Sequence, residues 1–138
     1  MPSPEQPLTG RCNCGAVTFA VTAPFEEAGY CHCKRCQRRT GSMWSVNAAV
    51  PAGGFEITAG REKVRSWAAP NGWPKAFCSE CGSHLYSGGE EVGAFGVRLG
   101  ALDGDPGIRP SYRQWLESSP DWYEVPDDGL ERFPRGRR

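Results

Sequence analysis

Seven cysteines confined to three tight clusters constrain this chain more than any other feature: Cys12-Asn-Cys14, Cys31-His-Cys33-Lys-Arg-Cys36 and Cys78-Ser-Glu-Cys81. Neighbours one or two positions apart cannot easily bridge each other, because a disulfide requires a narrow range of Cα separation and side-chain direction. Thiolates sharing one metal ion meet no such obstacle. An odd total also leaves one thiol unpaired in an oxidised protein, which fits a reducing compartment better than a secreted one. The clusters therefore read as metal ligands.

A structural zinc site takes four protein ligands, and the clusters supply two, three and two. Joining Cys12, Cys14, Cys78 and Cys81 on one zinc ties the start of the chain to its middle and leaves Cys31, Cys33 and Cys36 together. Drawing two of the central three into a closed site strands one cysteine there and a pair elsewhere, so the first division is the more economical. Three thiolates with an open fourth position suit a reactive, exchangeable zinc. The central cluster is open to other readings: empty at rest, a redox-sensitive thiol group, or the partial ligand set of a second structural zinc.

Lys34, Arg35, Arg38 and Arg39 are interleaved with or follow these cysteines. Cations beside thiols favour the thiolate, and the same charges can receive the carboxylates of a small anionic substrate. A solvated basic face is the alternative. His32, between two ligand candidates, points away from them if the segment is extended and is not assigned to metal. His84 is either a donor to the first site or a partly exposed strand residue.

The chain has 138 residues, the size of one domain, with 16 basic and 16 acidic side chains in balance. That balance removes the global attraction used by a general nucleic-acid or anionic-membrane binder. No apolar run approaches the roughly 20 residues that span a bilayer, and the start is polar, so a soluble, cytoplasmic protein is expected. Eighteen glycines and twelve prolines disfavour long helices and point to short strands joined by turns, an all-β chain.

Alternation of Val17, Phe19 and Val21 marks a strand within 15–22. Further strands are expected at 43–50, 55–58, 64–67, 83–87 and 92–99, the third and fourth segments flanking a turn at Gly60. A hairpin-like approach to Cys78 is expected, a loop over 103–110, one or two helical turns over 112–118, and a frayed basic tail over 132–138.

Three segments carry a resemblance to a known family: Gly10-Arg-Cys-Asn-Cys-Gly15, Tyr30-Cys-His-Cys-Lys-Arg-Cys-Gln-Arg-Arg-Thr-Gly-Ser42 and Phe77-Cys-Ser-Glu-Cys-Gly-Ser-His-Leu-Tyr86. They resemble, in order, the signatures of the glutathione-dependent formaldehyde-activating family, which shares its domain with centromere protein V. The resemblance covers about residues 8–122, with 1–7 as an extension and 123–138 as a tail. It implies a β-tent of stacked antiparallel sheets related to Mss4-like zinc proteins. It also implies a structural zinc at Cys12, Cys14, Cys78 and Cys81 and a catalytic zinc, labile or not, at Cys31, Cys33 and Cys36.

The activity implied is a carbon–sulfur lyase run in reverse, adding glutathione or a similar small thiol to formaldehyde or a related aldehyde. Lys34, Arg35, Arg38 and Arg39 become candidate contacts for glutathione carboxylates, and Trp44 and Trp73 candidate cleft walls or core aromatics. One departure stands out. Where family members often carry Pro-x-x-His, this chain has Pro110-Ser-Tyr-Arg113, followed by Trp122. A non-catalytic zinc module for protein or nucleic-acid interaction and a thiol-redox sensor are the competing readings.

Overall fold

A computed structural model describes residues 1–138. Eleven short strands and one helix follow in chain order: β1 (Leu8–Arg11), β2 (Thr18–Val21), β3 (Glu27–Cys31), α1 (Lys34–Thr40), β4 (Ser45–Pro51), β5 (Phe55–Ala59), β6 (Val64–Trp67), β7 (Lys75–Cys78), β8 (His84–Gly89), β9 (Ala94–Arg98), β10 (Tyr112–Gln114) and β11 (Glu131–Arg132). The all-β expectation holds. Strands β1-β2-β5 form a small sheet, and β11-β10-β3-β4-β9-β8-β7-β6 a large one.

Alternation decides what is buried. Val17, Phe19 and Val21 from the first strand region meet Val50, Phe55, Leu85, Phe95 and Val97 in one core. Phe55 stacks on Phe95 with centroids 4.4 Å apart and tilts against Phe19 at 5.1 Å, so aromatic rings stitch the small sheet to the large one. Both sheets pass the cysteine pairs into the same corner. Cys12 follows β1, Cys78 ends β7, and both are fully buried.

Some local expectations are met and others corrected. Segments 55–58 and 64–67 are strands on either side of a turn at Gly60, as expected, and each pairs elsewhere: β5 with β2, β6 with β7. Gly60 (φ 79°) carries the chain from one sheet to the other with its α-carbon against the Ala16 carbonyl, a place with no room for a side chain. The β6–β7 pairing is the hairpin-like approach to Cys78.

Segment 112–118 is strand first and helical only at its end. β10 runs parallel to both β3 and β11, so its backbone groups are satisfied between two strands, and Trp115 (φ 59°) then turns the chain into a single 3-10 turn at Leu116–Ser118. Uninterrupted sequence was a weak guide there because tertiary pairing outweighed helix propensity. The large sheet therefore has a parallel edge, not the purely antiparallel pairing expected.

The basic tail is not frayed. Trp115 N–H donates to Arg135 O and Leu116 N–H to Phe133 O, while Arg137 and Arg138 both pair with Glu27, at 2.6 and 2.8 Å. Finally, a seven-residue helix, α1, follows the central cysteines. Buried Gln37 anchors it, donating from Nε2 to the His32 and Ser118 carbonyls at 2.9 Å each, and Gly41 (φ 69°) ends it.

Candidate metal centres and the cleft between them

Cys12, Cys14, Cys78 and Cys81 converge from 64 residues apart, their sulfurs all within 4.8 Å of one another. Two corners present them: Gly15 N–H donates to Cys12 O, Gly82 N–H to Cys78 O, and both glycines take positive φ, 80° and 78°. A tetrahedral zinc with Zn–S near 2.3 Å requires S···S edges of about 3.8 Å. Cys12–Cys14 at 3.7 Å and Cys14–Cys78 at 3.9 Å match. Donors also suit thiolates. Val17 N–H points at Cys12 Sγ (3.2 Å), and the Ser83 hydroxyl, 3.2 Å from Cys81 Sγ, holds that thiol down at about 5.

Cys31, Cys33 and Cys36 form a second group within the same 4.8 Å limit. Cys31 ends β3, Cys33 caps the helix with its sulfur receiving Cys36 N–H (3.3 Å), and Cys36 sits one turn in. Thus a strand end and a helix start aim three sulfurs at one point. Hydrogen bonds from the Cys31 and Cys36 thiols, and then the helix-start N–H groups, hold Cys33 down at about 2, while the same Cys33 and Cys36 contacts push Cys31 far up. Three crowded sulfurs cannot all be anionic on their own; a divalent cation resolves that conflict, so this donor set also fits zinc.

The basic residues of this segment divide. Lys34, Arg35 and Arg38 are exposed, Lys34 bonding Gln37 Oε1 and Arg35 the Pro70 carbonyl. Arg39 turns inward, with Nη2 buried and lacking a hydrogen-bond partner.

Strand register brings in groups that the sequence reading missed. Cys31 pairs with Ser45, Asn47 with Arg98, Gly96 with Ser87, and Ser87 with Lys75, placing these positions along one face of the large sheet. A continuous chain of hydrogen bonds results. Ser45 Oγ donates to Cys36 Sγ (3.1 Å), Asn47 Nδ2 to Ser45 Oγ (3.3 Å), and Arg98 Nη1 to Asn47 Oδ1. The only local signal was the polar alternation of Ser45 and Asn47 opposite Ala48 and Val50; Arg98 closes an apolar strand with nothing nearby in sequence to explain it.

A cleft of about 490 Å³ opens where β4 and β8 begin and β9 ends. Arg11, Cys12, Asn13, Ser83 and His84 form the wall next to the first cysteine group, and Thr40, Trp44 and Ser45 the wall next to the second. Trp44 is therefore a cleft wall, whereas Trp73 is half-exposed elsewhere. His84, half-buried, makes no bond to a thiol; burial and then Arg39 and Arg98 push its pKa down.

His32 points away from the sulfurs, as extended backbone requires. Fully buried, its Nε2 lies 3.1 Å from Arg113 Nη1, and burial and then Arg113 lower its pKa to about 4. Arg113, the residue departing from the histidine pattern, stacks 4.1 Å over Tyr30 and pairs with Asp128 at 2.8 Å. The guanidinium thus bolts the segment carrying the central cysteines to the C-terminal strands.

The fold and its two cysteine clusters define a small all-β protein with thiol groups in metal-ligand geometry. The family described as "Glutathione-dependent formaldehyde-activating enzyme" matches residues 7–118, and the chain belongs to that family. A Halomonas elongata relative is 28% identical over 131 residues, covering 86% of this chain and 80% of its own; one from Sordaria macrospora is 32% identical over 92 residues, covering 60% and 38%. Both bear the name "Putative glutathione-dependent formaldehyde-activating enzyme". The chain matches about two fifths of the length of the fungal relatives. A crystal structure of a Rhodobacter sphaeroides protein shares the fold, with TM-score 0.61 and 22% identity, covering 91% of this chain and 98% of that one.

Proposed function

We propose that the protein is a zinc-dependent carbon–sulfur lyase of the formaldehyde-activating type, joining glutathione or a similar small thiol to formaldehyde or a related aldehyde. The supporting observation is the contrast between its two centres. One offers four sulfurs, two of them buried, and is complete; the other offers three, with a fourth position unfilled by the chain. The first is assigned to a structural zinc and the second to a catalytic one.

Zinc at the second centre supplies Lewis acidity and lowers the pKa of a thiol that reaches it. The chain does the rest. Cys31, Cys33 and Cys36 hold the metal, Ser45 orients Cys36 by its hydrogen bond, and Gln37 fixes the helix that carries two of the ligands. Arg98, which lines the cleft, is the cation available to stabilise negative charge on the adduct oxygen, and Trp44 excludes water along one wall. Seven unpaired thiols suit a reducing cytoplasm, and no helix is long and apolar enough to cross a membrane. The pairing of Arg135 with Glu117, and of Arg137 and Arg138 with Glu27, leaves little free charge in the tail for nucleic acid, which favours the enzyme reading.

NMR exchange spectroscopy on formaldehyde and glutathione tests this. Adduct exchange should accelerate in proportion to protein and return to the uncatalysed rate with Cys33→Ala. Zinc-loaded protein that gives no acceleration at stoichiometric concentration refutes the lyase reading.

A further inference from the structure

The hydrogen bonds that reach the three-cysteine group have a direction that the chain itself enforces. A guanidinium can only donate, so Arg98 Nη1 holds the Asn47 side chain with its carbonyl oxygen toward the guanidinium and its NH2 group toward Ser45. That NH2 group donates to Ser45 Oγ at 3.3 Å, which leaves the hydroxyl proton free to point at Cys36 Sγ, 3.1 Å away. Every proton along Arg98, Asn47, Ser45 and Cys36 therefore points toward the sulfur. Ser45 is 5% exposed and Arg98 8%, so little water competes for these groups. Asn47 is held from its other flank too, where Gly29 stands opposite it and the Tyr112 ring fills the space a side chain would take.

Neither Cys31 nor Cys33 has such a partner. Cys33 Sγ receives backbone N–H groups of the helix start, and no side chain outside the cluster bonds Cys31 or Cys33. The four-sulfur centre repeats the arrangement with different residues: Asn13 N–H donates to Ser83 Oγ at 2.9 Å, and the Ser83 hydroxyl lies 3.2 Å from Cys81 Sγ. A serine whose oxygen is already occupied by an N–H group thus faces one sulfur in each centre. Only the three-cysteine group backs its serine with a buried positive charge.

Hydrogen bonds from the shell around a metal's ligands fix ligand orientation and favour the deprotonated, metal-binding form. We propose that Arg98, Asn47 and Ser45 form a one-way donor relay that commits the Ser45 proton to Cys36 and thereby sets how tightly the three-cysteine group holds its metal. The inference rests on the reading of that group as a zinc centre. All three are positioning residues, acting on the metal through Cys36.

Asn47→Asp separates the relay from a packing role. The introduced carboxylate keeps the shape and the bond to Arg98 but can only accept, so the Ser45 hydroxyl turns to it and away from Cys36. Its negative charge alone would attract zinc, so weaker binding carries the sign of the reversed proton. Native mass spectrometry counts zinc on wild type, Asn47→Asp and Ser45→Ala across free zinc concentrations set by a chelator. Both variants should need about tenfold or more free zinc to fill one of two sites, the size typical of losing such a supporting bond. Cys33→Ala identifies that site by abolishing it, and the other site should stay within about threefold of wild type. A folded variant of either kind that fills both sites within about threefold of wild type overturns the relay, as does a wild type that binds a single zinc. If Asn47→Asp does not fold, Ser45→Ala decides alone. Relay-dependent zinc binding without accelerated adduct exchange refutes the lyase reading alone, and accelerated exchange with zinc binding unchanged in the variants refutes the relay alone.

Discussion

Cys14→Ala is the sharpest probe of the four-sulfur centre. Cys14 is exposed, so outside its role as a ligand its loss should matter little, within about 0.5 kcal/mol. As a ligand it helps tie Cys12 and Cys14 to Cys78 and Cys81, and the Cys14–Cys78 link spans 64 residues. Treating the metal as a crosslink, closure of a loop that long restricts the unfolded chain by about 4 kcal/mol. Domains of this size have about 5–15 kcal/mol in total, so the loss is a large fraction. It corresponds to a fall in Tm of roughly 14 °C for a chain of this length. The assay is urea unfolding of zinc-loaded wild type and Cys14→Ala, each with and without a competing chelator, alongside a zinc count by native mass spectrometry. Wild type should lose one tightly held zinc and about 4 kcal/mol on prolonged chelation, and the variant should start near that lower value. A variant within about 1 kcal/mol of wild type, or chelated wild type as stable as loaded, would refute the crosslink argument.

Two further outcomes test the scaffold. Gly60→Ala should destabilise by at least about 2 kcal/mol in urea unfolding, since a side chain there meets the Ala16 carbonyl at positive φ, whereas Gly53→Ala, where an added β-carbon meets nothing and φ is not positive, should be close to neutral. Arg113 holds the Asp128 carboxyl below its usual range, so the pair stabilises the fold above about pH 4 and that contribution fades as pH falls through the lower folded value. Wild type should therefore exceed Asp128→Asn in stability at pH 7 and converge on it in acid; a gap independent of pH would show that the carboxylate charge is not what Arg113 uses.

How much could be read along the chain depended on the range of the interaction. Both cysteine centres were legible because ligand spacing is a local property: a turn of one or two residues sets where neighbouring sulfurs point, and four plus three is the economical division of seven. Strand positions were legible where alternation was strong, as at Val17, Phe19 and Val21. They failed where a distant partner decided the outcome, as at Tyr112–Gln114, which reads as helix alone but is a strand between β3 and β11. Gly60 marked a turn correctly, yet nothing local revealed that it separates two sheets.

Charge showed the same division more sharply. The run from Lys34 to Arg39 was conspicuous in sequence, but α1 turns three of its four cations to solvent. Arg98 was inconspicuous, and the pairing of β4 with β9 brings it to the cleft. Arg113 registered only as a missing histidine, while the tertiary structure makes it the link between His32, Tyr30 and Asp128. By itself, then, the sequence determined the two groupings of the cysteines, the all-β class and the family. Only the tertiary structure decided which cations approach the three-cysteine group, because that depends on strand register across β3, β4 and β9, set by packing between residues far apart in the chain.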